Sequence, residues 1–218
     1  MAKQETRKVV IRPLSNVVFF YPTWLASIAF GIWTSVVDVS PENPGTSGLL
    51  FTLLFFFNLS IVAFDYTRLM SIVIVLSLII VGLLSTMYPL VGELIRSALD
   101  QPMFMNSTFY WVWAIGFSII MGTVLLKTRF DYWEIKNNEL LHHHGLLGDV
   151  ERRAAPGLKI SKEIKDVMEY ALLGSGRLVL SPPGEARDII IDNVMRISKV
   201  EAEMQDLLNT LRVDTVDM

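Results

Sequence analysis

The chain has 218 residues, of which 52% are hydrophobic and only 19% charged, with a mean hydropathy of +0.45. That is too apolar for an ordinary soluble domain, and the excess sits in the first 127 residues, so the sequence reads as a membrane region followed by a soluble domain. The absence of cysteine excludes disulfides, thiolate catalysis and cysteine-ligated zinc or iron–sulfur centres, and a net charge of -3 offers no basic face for nucleic acid.

Residues 1–16 read as a cytoplasmic N-terminal tail. Four apolar segments follow between 17 and 127: Val17–Val37, Leu49–Phe64, Met70–Tyr88 and Phe109–Leu126. A helix crosses the hydrocarbon core with about 20 apolar residues, in a range of about 17 to 25. The second segment reaches that range only by including Thr46–Gly48. None carries an ionised side chain in its interior, and the first is too long for a signal-peptide core and reads as a retained anchor. A four-helix transmembrane bundle is therefore expected. The connection over 89–105, "PLVGELIRSALDQPMFM", places Leu90, Val91, Leu94, Ile95, Ala98 and Leu99 at helical spacing, which predicts a short amphipathic helix on the outer membrane surface.

Lysine and arginine set the expected orientation. Lys3, Arg7, Lys8 and Arg12 precede the first helix, Arg68 lies between the second and third, and Lys127 and Arg129 follow the fourth. The alternate connections carry only Arg96. Both termini are thus expected on the cytoplasmic side of a multi-pass protein. Small residues Ser27, Gly31 and Ser35 recur every fourth position on the first helix, a spacing that lets helices approach closely. Asn58 reads as an interhelical hydrogen-bonding residue. Without buried charge to mark a path, helix packing is the reading for all four, and a transporter or channel with a regulatory soluble domain is the rival.

Beyond residue 127 the pattern changes to short alternating runs. "FDYWEIK", "ELLHHH" and "DVERRAA" read as three strands, joined by the turns "NN" and "GLLG". "LKISKEI" and "KDVMEYALL" read as a fourth and part of a fifth. "GRLVLS" and "RDIIID" flank "PPGEA" as a further hairpin. Ser198 and Glu201 match a capping box, and Val200, Met204, Leu207, Leu208 and Leu211 form one face of a helix over about 199–211. Residues 128–218 are expected to form one antiparallel β domain closed by that helix.

Residues 129–212 resemble a bacterial pleckstrin-homology-like (PH-like) domain of the YdbS-type membrane-anchored family. The resemblance rests on Tyr132-Trp133, the turn Gly145-Leu146, the stretch Ile164 to Val167, and "LLGSGRLVL" from Leu172 to Leu180. It implies a β-barrel capped by a C-terminal helix, without established catalysis, and a scaffold, assembly or partner-binding role; the bacterial inner membrane is the expected location, and no enzyme activity or cofactor is expected. The expected partners are the lipid bilayer, other membrane proteins or further copies of the chain.

Two groups of residues remain candidates for a site. His142, His143 and His144 are the only histidines. On a strand, His142 and His144 share one face and His143 takes the other. Two imidazoles at that spacing are candidate metal ligands, but a zinc site needs three or four and the sequence identifies no further one, so no metal is expected. A metal or pH sensor is the alternative built on this pair. Arg152, Arg153, Lys159 and Lys162 are candidates for contact with lipid headgroups or a partner. Residues 129–218 nevertheless hold 12 Lys and Arg against 16 Asp and Glu, a net of -4 that opposes an anionic leaflet unless one face is basic.

Overall fold

The computed structural model describes residues 8–37, 39–136, 138–145, 148–184 and 187–216. Lys3, Arg7, Asn137 and Leu146 lie outside them, as does the side chain of Leu211. The chain divides into two compact units. One combines the segment up to Asn16 with Thr123 onward, and the other is Val17–Gly122.

The helical unit contains α1 (Tyr21–Val36), α2 (Ser47–Ala63), α3 (Arg68–Met87), α4 (Pro89–Leu99) and most of α5 (Ser107–Phe130). A 3-10 turn over Asn16–Phe20 leads into α1. Among the described residues, three stretches are long and apolar enough to cross a membrane: Asn16–Val36, Arg68–Met87 and Ser107–Phe130. Of the four expected spans, the second, α2, falls below that length. Helix α2 has 17 residues, which at 1.5 Å per residue reach about 25 Å against a hydrocarbon core of about 30 Å.

Helices α1, α2 and α5 bury a common seam. Phe51 of α2 meets the Tyr110 ring of α5 edge-on at 5.4 Å, and Phe55 meets Trp113 at 5.3 Å. Tyr110 and Phe51 are almost wholly buried. Helix α3 differs, because Ser71 is its only buried residue while Ile72, Leu76, Ile79 and Leu83 stand exposed. A helix apolar all round with so little covered by its own chain needs an apolar surrounding. Helix α4 places its apolar residues at helical spacing, buries none of them, and packs beside α3.

The β unit has seven described strands. A four-stranded antiparallel sheet runs in the order β1-β2-β3-β4: β1 (Lys8–Ile11), β2 (Tyr132–Lys136), β3 (Glu139–His144) and β4 (Asp149–Ala154). A three-stranded sheet runs in the order of β5 (Lys159–Glu163), β6 (Gly176–Ser181) and β7 (Ile189–Val194). The described residues form no continuous ladder between the two sheets, only an isolated bridge from Pro13 to Val194, so a closed barrel is corrected to two open sheets.

The segment read as an N-terminal tail supplies a strand. Lys8, Val9, Val10 and Ile11 pair with Lys136, Ile135, Glu134 and Trp133. Val9 and Ile11 alternate inward onto a core that includes Ile135, Leu140, Leu178, Leu180, Ile191 and Val194. Helix α7 (Ile197–Val216) covers this core through Ile197, Met204 and Leu207, with Val200 and Leu208 packed at the margin.

Two other local expectations are corrected. "DVMEYALL" is not a strand. Asp166 accepts hydrogen bonds from the Met168 and Glu169 amides and caps α6 (Val167–Leu173), and Gly174 ends it at φ +61°. The family-like stretch Ile164 to Val167 is thus a loop running into a helix. Ser198 and Glu201 do not form a capping box, because the helix already starts at Ile197. They meet Lys162 instead, at 3.4 Å to Ser198 Oγ and 2.6 Å to Glu201 Oε2.

Candidate functional site

The β2–β3 hairpin builds the site. Asn138 takes a φ of +62° in its tight turn, a conformation asparagine tolerates better than most residues. The register that follows pairs Ile135 with Leu140, Trp133 with His142 and Tyr132 with His143. Ile135 and Leu140 are fully buried, so their face of the sheet is the core face. Trp133 and His142 continue that face toward the end of the hairpin, with their rings stacked at 3.9 Å and parallel within 1°. His143 points to the other face, where it stacks on Tyr132 at 4.4 Å and lies 3.5 Å from the buried carboxylate of Glu134.

Asp131 is the residue between α5 and β2. Its Oδ1 lies 3.0 Å from His142 Nε2, and its Oδ2 lies 3.9 Å from His144 Nδ1. The two imidazoles are 5.5 Å apart. Asp131, His142 and His144 can each present one ligand atom, with all three atoms inside 4.8 Å of one another. An open pocket against them is lined by His142, His144, Asp149, Val150 and Glu151. Asp149 and Glu151 face the histidines across the β3–β4 ladder, where they pair with His144 and His142. Imidazoles and carboxylates therefore converge at one end of the core face, a donor set suited to a cation.

The candidate cations are not brought together. Arg152 lies 3.7 Å from Glu139, Arg153 lies 2.8 Å from Glu151, and Lys162 is held by Glu201. Arg152 and Arg153 alternate to opposite faces of β4, while Lys159 and Lys162 stand on β5 in the other sheet. Three of the four are thus matched by a carboxylate, and no single basic face results.

In the helical unit, Ser27, Gly31 and Ser35 lie along α1. Ser27 is buried and donates to the Trp24 carbonyl. A methyl group on Gly31 would come within 3.3 Å of the Trp111 ring. Ser35 lies 2.7 Å from the hydroxyl of Ser107, and Trp111 Nε1 donates to it at 3.4 Å. The small-residue stripe therefore receives α5 of the same chain. Fully buried Asn58 donates through Nδ2 to Thr23 Oγ1 at 2.6 Å, linking α2 to α1. Thr23 and Asp131 are the partners that sequence reading left out.

Comparison with known proteins gives no matching family model, no matching curated protein and no matching solved structure.

Proposed function

We propose that this chain is a multi-pass membrane protein of the bacterial inner membrane that acts as a non-catalytic scaffold, binding other membrane proteins or copies of itself through a cytoplasmic PH-like unit. The observation that carries this reading is the pairing of β1 with β2. The two strands flank the whole helical region, and a sheet cannot be shared across a bilayer whose core has no partner for free backbone groups. The shared sheet thus supports a chain that leaves and returns on one side, with an even number of crossings. Three long apolar helices make an odd number, and α2 is the natural fourth despite its length, since a bilayer thins locally around a short span. The distribution of lysine and arginine supports the cytoplasm as the side that holds the β unit.

Seven antiparallel strands with a closing C-terminal helix support the PH-like reading, with open sheets in place of a barrel. The proposed docking element is β4. It is the outer strand of its sheet, no described strand pairs with its far side, and none of its residues is buried. Its charges guard such an edge against indiscriminate pairing and leave it to a partner with matching charge.

A photo-reactive amino acid at Val150, in the full chain in its native membrane, tests this role. A discrete protein adduct, either with a different protein or with a second copy, is the expected product. A probe that yields only lipid adducts, or none, at Val150 and at neighbouring exposed Glu151 overturns the scaffold reading of this edge.

A further inference from the structure

We propose that Asp131, His142 and His144 form a binding site for one divalent transition-metal ion of the zinc class. Two imidazole nitrogens and one carboxylate oxygen are the donors such ions prefer, whereas calcium and magnesium take all-oxygen sets. The ligand atoms already lie inside 4.8 Å of one another. Four-coordinate zinc with bonds of about 2.0–2.2 Å holds its donors about 3.3–3.6 Å apart. His142 Nε2 and Asp131 Oδ1 at 3.0 Å need only a small separation. His144 Nδ1 lies 3.9 Å from the other carboxylate oxygen, Oδ2, and a turn of its 70% exposed side chain would bring it closer to Oδ1 and His142 Nε2.

The surroundings agree with a cation. Asp149 lines the same pocket and adds negative charge beside the ligands, while Glu151, also in its lining, is paired with Arg153. Trp133 fixes the His142 ring by parallel stacking, so one ligand is oriented in advance. The fourth position opens into the pocket and is left to water or to a ligand atom from outside, as in sites where zinc keeps an exchangeable position. Binding replaces the hydrogen bond between His142 and Asp131 with two metal bonds and releases any proton held between them. The ion would tie the residue that follows α5 to strand β3.

The test uses the full chain in detergent with any affinity tag removed. Zinc is titrated calorimetrically, and cobalt(II) serves as a spectroscopic substitute whose visible absorption reports the ligand field. The expected result is one equivalent of zinc per chain, with affinity lowered at least about tenfold in Asp131→Asn and His144→Gln, and unchanged in His143→Gln, whose ring faces the other way. Asp131→Asn retains a hydrogen-bonding side chain, so its melting temperature without metal should stay near that of the parent. Cobalt should also quench Trp133, an effect removed in Trp133→Phe. No saturable binding overturns the proposal. So does equal binding by all three variants, or a loss in His143→Gln as large as in the others. The adduct experiment at Val150 reads partner binding and does not depend on this outcome.

Discussion

Replacing Ile11 by aspartate should unfold the β unit while leaving the helices inserted. Ile11 is fully buried on β1 and belongs to the same core as Ile135, Leu140, Leu178 and Val194. Truncating such a residue to alanine costs about 2–5 kcal/mol. A domain of this size has about 5–15 kcal/mol in total, and an unpaired buried carboxylate adds several more to the loss. The full chain carrying Ile11→Asp should lose amide-exchange protection throughout β2, β3, β6 and α7. Ile11→Ala should lower it, and Arg12→Ala, on the exposed neighbour, should change stability by less than about 0.5 kcal/mol. Unchanged protection in Ile11→Asp would mean that residues 132–208 complete their core without the N-terminal strand.

Gly48→Ala is expected to be the most damaging single methyl group in the helical unit. A Cβ at Gly48 would fall 2.0 Å from the carbonyl oxygen of Met103 and 3.0 Å from its carbon. These are backbone atoms of the connection between α4 and α5, which no rotamer change can move. Elsewhere in a helix, glycine to alanine favours the helix by about 0.8–1 kcal/mol. Here overpacking outweighs that gain and should cost about 3 kcal/mol or more. Gly116 and Gly122 of α5 offer the comparison, since a methyl group on either meets nothing within 4 Å. Alanine at those positions should leave the detergent-solubilised melting temperature equal or raised, while Gly48→Ala lowers it by several degrees. Equal behaviour of the three variants would contradict the close approach of α2 to Met103.

The parts legible in the sequence are those whose signal is local. An apolar run of about 20 residues identifies a span by itself, because a membrane helix satisfies its backbone internally. The hairpins of the soluble half were legible through their turns, with Asn138, Gly145, Gly148 and Gly184 at positive φ. Helix α7 showed its apolar face. Strand β1 was not legible, because "KVVI" is four residues long and its partner lies more than 120 residues away. Positive charge around it reads equally well as an orientation signal. Helix α6 was hidden by a short apolar run that suits either state, although Asp166 and Gly174 mark its two ends.

The third ligand was nearer to view. Counting outward from the Asn137-Asn138 turn pairs Trp133 with His142, and one more step along the same face brings Asp131 opposite His144. What concealed it was the end of α5, which runs to Phe130 and removes the start of "FDYWEIK" from the strand. The candidate cations failed for the opposite reason. Their spacing in sequence was plain, but their pairing with Glu139, Glu151 and Glu201 depends on contacts made by folding.

The most direct measurement maps single cysteines with a membrane-impermeant thiol reagent, for which a chain without native cysteine is ready. Exposed Arg12, Glu42, Asp65 and Gln101, together with Lys136 on β2, are replaced one at a time and labelled in intact cells. Reaction of positions 42 and 101 from outside, with 12, 65 and 136 reached only after permeabilisation, is the expected result. Labelling of 12 and 136 from opposite sides would contradict the shared sheet, and labelling of 65 together with 42 would remove α2 from the crossing helices.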